Sequence, residues 1–209
     1  MSFAQQLWQE NREIAQSCRN HPFVRGIEDG SLAKKLFSYY VSQDAFFLKA
    51  FARAYTIAGA RVTDWNDFKT LHHLTEGVLG ELQLHEGYAR EWGVDITQVE
   101  PGAATRHYTD FVLAIAWGKE LGQTLAALVP CMRLYAWLGQ ELAKTNGKKH
   151  LYSNWINTYS SKEIEELASE LERLLVLYAS PKDKQIAETY RYAMECELRF
   201  FEAALTWDL

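Results

Sequence analysis

The sequence predicts an all-α protein: a single helical bundle that forms one domain. Apolar residues recur at spacings of three and four in several long segments, and no segment alternates apolar and polar residues as a half-buried strand would. The chain has 209 residues, of which 48% are hydrophobic and 13% aromatic, which suffices for one substantial core. We therefore expect residues 1–209 to form one domain of about eight helical segments joined by short connections.

Two helices are expected near the N-terminus. Ser2 is placed to cap a first helix that continues to about Asn20, and Pro22 ends it because the residue before a proline avoids the helical region. Ser31 is expected to cap a long second helix. Asp44 lies within the apolar stripe of that second helix, whose neighbouring members are Tyr40, Phe47, Leu48 and Phe51.

Asp44 is the first unusual residue, because a carboxylate on an apolar face costs free energy to bury unless it has a partner. Two roles are compatible with its position. It can hydrogen-bond another side chain as part of the scaffold, or it can bind a polar group of a ligand. The sequence pattern of this helix alone does not decide between them.

The middle of the chain predicts two further helices. The third starts after Asp64 and continues through Trp92, and Thr105 is placed to cap a fourth that runs toward Gly118. Glu81 and His85 are four residues apart on the third helix, a spacing that could hold a metal ion. One such pair is weak evidence, because pairs at this spacing are common on helix surfaces.

The segment Leu125–Gly139 predicts an apolar helix that contains Pro130. Its ring crowds the carbonyl of residue 126 and it has no N–H to donate, so a kink or a helix start is expected there. Cys131 follows, and Tyr135 lies one turn further on the same face. A thiol beside a phenol in an apolar helix is a candidate reactive site. A buried cysteine that only packs is the simpler interpretation.

Three segments are expected after the proline-cysteine helix. A short helix covers His150–Asn157, and Ser160 with Glu163 resembles a capping box at the start of an acidic helix. The last helix is expected over Lys182–Ala204. Its apolar stripe is interrupted by Glu197, so a second acid repeats the oddity seen at Asp44. Two such acids suggest a polar cavity inside the bundle.

Composition disfavours several classes of protein. The net charge of −5 and the absence of a Lys/Arg block argue against a nucleic-acid surface. No apolar run approaches the roughly 20 residues that span a bilayer, and the first residues lack the pattern of a signal peptide. The three cysteines show no CxxC spacing, so a disulfide framework is not expected. We expect an intracellular, cytoplasmic protein with reduced thiols.

Blocks along nearly the whole chain resemble the TenA family, the bacterial thiaminase II or aminopyrimidine aminohydrolase type. The blocks are HPFVRGIEDGSL, YYVSQDAFFLKAFARA, ELQLHEGYAREWG, ALVPCMRLYAWLG, YSNWINTYSS and ECELRFFEAA. Their order and spacing together are specific, although no single block is decisive. The proline-cysteine block resembles the branch of the family that has a catalytic cysteine. The resemblance implies a heme-oxygenase-like fold and a homotetramer.

The resemblance also implies roles for individual residues. Cys131 would be the nucleophile, Glu197 the proton donor and acceptor, and Asp44 the ligand of the pyrimidine ring nitrogen and amino group. The other implied pocket residues are Phe47, Tyr108, Tyr135, Tyr159 and Phe200. The family often has tyrosine where Phe47 stands, which removes one hydroxyl. Glu195 and Glu202 compete with Glu197 but fit the block and the stripe less well.

The implied reaction is hydrolysis of 4-amino-5-aminomethyl-2-methylpyrimidine to hydroxymethylpyrimidine in thiamin salvage, with cleavage of thiamin itself left open. A thiol, a titratable acid and aromatic walls supply the chemistry, so no metal or organic cofactor is expected. Two alternatives are a metal-dependent or cofactor-independent oxidase on the same fold and a non-catalytic pyrimidine-binding or regulatory protein. The latter would have no need of Cys131 together with Glu197.

Overall fold

The computed structural model describes residues 1–92, 99–145 and 149–207, except for the side chains of 84–86, 88 and 90–92. These described residues form ten α-helices and no strand, so the all-α prediction is confirmed. The helices are α1 (Phe3–Glu10), α2 (Arg12–Asn20), α3 (Pro22–Asp29), α4 (Lys34–Gly59), α5 (Trp65–Trp92), α6 (Ala103–Gly118), α7 (Leu121–Ala143), α8 (Ser153–Tyr159), α9 (Lys162–Tyr178) and α10 (Lys184–Thr206).

The first predicted helix is in fact two helices, because the chain turns at Asn11 between α1 and α2. The Asn11 side-chain amide donates to the Leu7 carbonyl and so stabilises the end of α1. The Ser2 cap is confirmed as one half of a capping box with Gln5. Pro22 does more than end a helix: it is the first residue of α3, a position where the missing N–H costs nothing.

Three predicted helix caps are wrong, although the helices that they were meant to start are present. Ser31 lies in the turn before α4, where its N–H donates to the Asp29 carboxylate. Thr105 lies inside the first turn of α6 rather than before it. Ser161 caps α9 instead of Ser160, since its hydroxyl accepts the N–H of the third residue of the helix.

Three long helices, α4, α7 and α10, pack against one another at the centre of the fold. Around them, α5 and α6 pack on α4, and α8 and α9 pack on α7. One continuous hydrophobic core contains residues from all ten described helices. None of the described helices is long and apolar enough to cross a membrane.

Helix α7 is the proline-cysteine helix of the sequence, and it extends beyond the predicted segment at both ends. Pro130 lies inside it, so the expectation of a helix start at this proline is wrong. Every residue from Leu125 to Pro130 is buried. Because Pro130 has no N–H, the carbonyl of Ala126 does not receive the usual helical hydrogen bond.

Gly139 sets how closely α8 approaches α7. A Cβ atom at this position would lie 2.5 Å from the backbone nitrogen of Ser160 and would also overlap the Tyr159 backbone. Since backbone atoms cannot rotate away as a side chain can, a larger residue must push the end of α8 outward. The glycine is therefore required for the packing of two helices that carry predicted pocket residues.

We predict that Gly139→Ala lowers the free energy of unfolding by about 1–3 kcal/mol, the usual range for overpacking a core. Urea denaturation followed by circular dichroism measures this change. Gly80→Ala is the matched control, because Gly80 lies inside α5 and an added Cβ would meet no atom within 4 Å.

The control substitution is expected to raise the free energy of unfolding by about 0.5–1 kcal/mol, since alanine loses less backbone entropy than glycine in a helix. Equal effects of the two substitutions would show that the α7–α8 contact does not depend on Gly139.

Candidate active site

Two adjoining cavities lie among the central helices. The Glu197 cavity has a volume of about 170 Å³ and is lined by Asp44, Phe47, Tyr108, Cys131, Tyr135, Glu197 and Phe200. The Glu81 cavity has a volume of about 390 Å³ and is lined by Asp44, Leu48, Phe51, Val78, Glu81, Cys131, Met132, Tyr135, Tyr159 and Ile164. Asp44, Cys131 and Tyr135 line both cavities, so the thiol lies at their boundary.

All eight site residues named from the sequence line one or both of these cavities. Five helices supply them: α4 carries Asp44 and Phe47, α6 Tyr108, α7 Cys131 and Tyr135, α8 Tyr159, and α10 Glu197 and Phe200. The structure thus brings together residues that are far apart in the chain. Their individual roles remain predictions.

Glu197 is a buried acid with a strongly perturbed pKa. Its side chain is 2% exposed, and the Tyr108 hydroxyl donates to its Oε1 at 2.8 Å. Burial raises the pKa of Glu197 from 4.5 to about 8, and the nearby Asp44 adds to the rise, while hydrogen bonds from Tyr108 and Cys131 oppose it. An acid with a pKa near 8 can both give and take a proton close to neutral pH.

Cys131 is partly accessible because it faces the two cavities. Burial raises the pKa of its thiol well above 9.0, and so do the acids Glu197, Asp44 and Glu81 around it. The unliganded protein therefore holds Cys131 as a neutral thiol. A thiolate can form only when a neighbouring group accepts the proton. Glu197 is placed to do so, because it lines the same cavity as Cys131 and acts electrostatically on the thiol.

Aromatic rings form much of the cavity walls. In the Glu197 cavity, the Phe47 ring lies 4.6 Å from that of Tyr108 and 6.2 Å from that of Phe200, measured between centroids. Tyr135 and Tyr159 make a similar pair 4.9 Å apart beside the Glu81 cavity. Phe47 carries no hydroxyl, but Tyr108 brings one to the same cavity. These walls suit a flat, polar-edged ring.

Two polar groups at the site were not identified from the sequence as pocket residues. Glu81 lines the second cavity and accepts a hydrogen bond from the Tyr159 hydroxyl. Tyr40 donates its hydroxyl to that of Tyr135 at 3.1 Å. A signal for Glu81 was available: it continues the buried stripe of Leu71, Leu74 and Val78, so it is a third acid on an apolar face.

The predicted metal pair consists of Glu81 and His85, and the His85 side chain lies outside the described residues. Among described side chains, no group of three or more His, Cys, Asp or Glu residues is arranged to hold a metal ion.

The two competing acids of α10 lie away from the cavities. Glu195 forms ion pairs with Arg191 and Arg199 on the surface. The Nε2 atom of His21 lies 2.9 Å from a carboxylate oxygen of Glu202.

Sequence comparison gives one family and several related enzymes. The model of the TENA/THI-4/PQQC family matches residues 8–206. The chain is 34% identical to an aminopyrimidine aminohydrolase from Halalkalibacterium halodurans, over 90% of this chain and 88% of that protein. It is 35% identical to the mitochondrial bifunctional TH2 protein of Arabidopsis thaliana, over 94% of this chain. The chain spans only 36% of the TH2 protein, which is much longer.

Structure comparison supports the same relationship. A TenA family transcription regulator from Silicibacter sp. TM1040 superposes with a TM-score of 0.90 at 26% identity, covering 97% of this chain and 96% of that one. Heme oxygenase-1 from the cyanobacterium Synechocystis sp. PCC6803 superposes with a TM-score of 0.61 at 18% identity, covering 97% and 91%. The second likeness concerns the fold alone, and it confirms the expected heme-oxygenase-like architecture.

We predict that Glu197→Gln stabilises the protein increasingly as the pH rises. The folded-state pKa of Glu197 is raised from 4.5 to about 8, so between these values the unfolded chain loses a proton that the folded protein retains. The stability of the unsubstituted protein is thus fully present below pH 4.5 and falls as the pH approaches 8. Glutamine does not titrate, so the variant does not undergo this loss.

The measurement is the free energy of unfolding in urea at about pH 5 and about pH 8.5, where each unit of pKa shift corresponds to about 1.4 kcal/mol. Glu188→Gln is the control, because Glu188 is exposed on the same helix. A difference between Glu197→Gln and the unsubstituted protein that stays constant from acid to alkaline pH would contradict the raised pKa.

Proposed function

The chain belongs to the TENA/THI-4/PQQC family, and from this premise we propose that it hydrolyses 4-amino-5-aminomethyl-2-methylpyrimidine to hydroxymethylpyrimidine in thiamin salvage. The carrying observation is that the Cys131 thiol and the buried acid Glu197 line the same cavity, between aromatic walls and together with Asp44. The related aminopyrimidine aminohydrolase supports the same activity. Cleavage of thiamin is a second reaction open to the same site.

The pyrimidine ring occupies the Glu197 cavity. Its faces contact the rings of Phe47 and Phe200, and its N–C–NH2 edge pairs with the Asp44 carboxylate through charge-assisted hydrogen bonds. In this proposed orientation of the pyrimidine, a ring nitrogen faces Glu197 and a ring carbon lies beside the Cys131 sulfur. The substrate brings a positive charge close to the acids that raise the pKa of the Cys131 thiol. Binding therefore lowers this pKa and favours the thiolate.

The chemistry then proceeds by transfer of one proton and addition of one sulfur. Glu197 takes the proton of Cys131 and passes it to the ring nitrogen, while the thiolate adds to the adjacent ring carbon and dearomatises the ring. The ring expels the amine, and the electrons of the C–N bond leave on nitrogen. Water adds to the exocyclic carbon, and Glu197 passes the proton that the water loses to the departed ammonia. The thiolate then leaves the ring and the proton on the ring nitrogen returns to the sulfur, which restores both the aromatic ring and the Cys131 thiol.

The proposed scheme uses only side chains of this protein and no metal or organic cofactor. We also propose that residues 1–209 form one domain, supported by the core that joins every described helix.

A cytoplasmic homotetramer follows from the family resemblance. Light scattering is the measurement of assembly, and a mass of four 24.1 kDa chains is expected. A mass of one or two chains would contradict the tetramer without affecting the proposed reaction.

We predict that Cys131→Ser abolishes measurable hydrolysis, whereas the unsubstituted protein releases ammonia and hydroxymethylpyrimidine from the aminomethyl substrate. A serine hydroxyl is a far weaker nucleophile than a thiolate and is not ionised by Glu197. Turnover of the aminomethyl compound and of thiamin is measured by chromatography. Cys18→Ser is the control, because Cys18 is another buried thiol but lines neither cavity.

The outcomes separate the candidate functions. Full activity in Cys131→Ser would contradict the nucleophile assignment. Activity that depends on added or copurifying metal would favour the oxidase alternative. Tight binding of hydroxymethylpyrimidine without turnover of either compound by the unsubstituted protein would favour a non-catalytic pyrimidine-binding protein.

A further inference from the structure

The site contains a carboxyl group that the proposed steps at the ring do not use. Glu81 lies on α5 and lines the larger cavity, whereas Glu197 lies on α10 and lines the smaller one. Cys131 faces both cavities. A substrate whose ring carbon contacts the Cys131 sulfur from the Glu197 cavity must direct its substituent elsewhere, and the adjoining space is the Glu81 cavity.

The chemistry of the Glu81 cavity matches a particular kind of substituent. Most of its wall is apolar, from Leu48, Phe51, Val78, Met132 and Ile164. The polar groups that it does not share with the other cavity are the Glu81 carboxyl and the Tyr159 hydroxyl, which donates to Glu81. A mostly apolar chamber that carries the carboxyl groups of Glu81 and Asp44 suits a cation, with or without an apolar body.

We propose that Glu81 recognises the cationic leaving group, and with it determines which aminopyrimidines the protein accepts. This inference rests on the proposed hydrolase function. The two compounds named above both carry a positive charge at this position: a primary ammonium in the aminomethyl compound and a thiazolium in thiamin. The two acids thus contact different parts of the substrate: Glu197 acts on the ring, and Glu81 binds the substituent.

The direction of the kinetic effect follows from where the charge moves. Before the C–N bond breaks, the positive charge is on the leaving nitrogen. As the bond breaks, its electron pair goes to that nitrogen, which departs neutral as ammonia or thiazole, and the positive charge passes to the ring and exocyclic carbon. Glu81 therefore stabilises the bound substrate at least as much as the transition state. Its removal should raise KM without lowering kcat.

The test is steady-state kinetics of Glu81→Gln with both substrates, together with the dissociation constant of hydroxymethylpyrimidine, which is neutral and lacks the leaving group. We expect KM to rise at least about tenfold for both substrates, the usual effect of losing a charge-assisted hydrogen bond. The affinity for hydroxymethylpyrimidine should change less than about twofold, a factor well below that loss. Glu76→Gln is the matched control, because Glu76 is on the same helix but exposed.

Each other outcome overturns the inference. Unchanged KM in Glu81→Gln would show that Glu81 does not contact the leaving group. A matching loss of affinity for hydroxymethylpyrimidine would show that Glu81 acts by positioning Tyr159, a role that Tyr159→Phe should then reproduce. If Glu81→Gln does not fold, Glu81→Asp, which keeps the charge on a shorter side chain, must show the same KM rise in weaker form. Absence of turnover by the unsubstituted protein would instead contradict the proposed function.

Discussion

The organising constraint of this structure is the burial of acids around one thiol. In the described part of the chain, Asp44, Glu81 and Glu197 surround Cys131, and no Lys, Arg or His is among the residues that line either cavity. Burial raises the pKa values of both Glu197 and Cys131, and the neighbouring acids add to the rise. The three acids around the thiol make the site more favourable for a cation than for an anion.

The hydrogen-bond partner of Glu197 helps to explain why this acid titrates near neutral pH. Glu197 and Glu81 are each bonded by a phenol, from Tyr108 and Tyr159, which satisfies the carboxyl without neutralising its charge. Asp67, elsewhere in the fold, shows the contrast: Tyr178 and Arg173 both donate to it, and its pKa is lowered. An arginine at the active site would have fixed a permanent anion. With the Tyr108 phenol as its partner, Glu197 can gain or lose a proton near neutral pH.

Helical periodicity predicted the helices and two of the acids, because an acid inside an apolar stripe is visible in the sequence. Exact helix starts were less predictable: Ser31, Thr105 and Ser160 are all good caps, and a neighbouring residue or turn takes that place instead. Glu81 was interpreted only as half of a metal pair. Its real partner, Tyr159, is 78 residues away, and a contact at that separation leaves no local pattern.

The charge of the site also bears on when, in the proposed reaction, the Cys131 thiol loses its proton. With the thiol pKa raised well above 9.0, Cys131 is a weak nucleophile in the unliganded protein. Burial is the main reason that the proton stays on sulfur, the field of the three acids adds to it, and a bound cation offsets that field. In the proposed reaction, activation of the Cys131 nucleophile is thus coupled to the charge of the ligand. In the proposed reaction, a neutral pyrimidine of the same shape would offset less of this field, so we expect the charge of the substrate to affect the chemical step as well as binding.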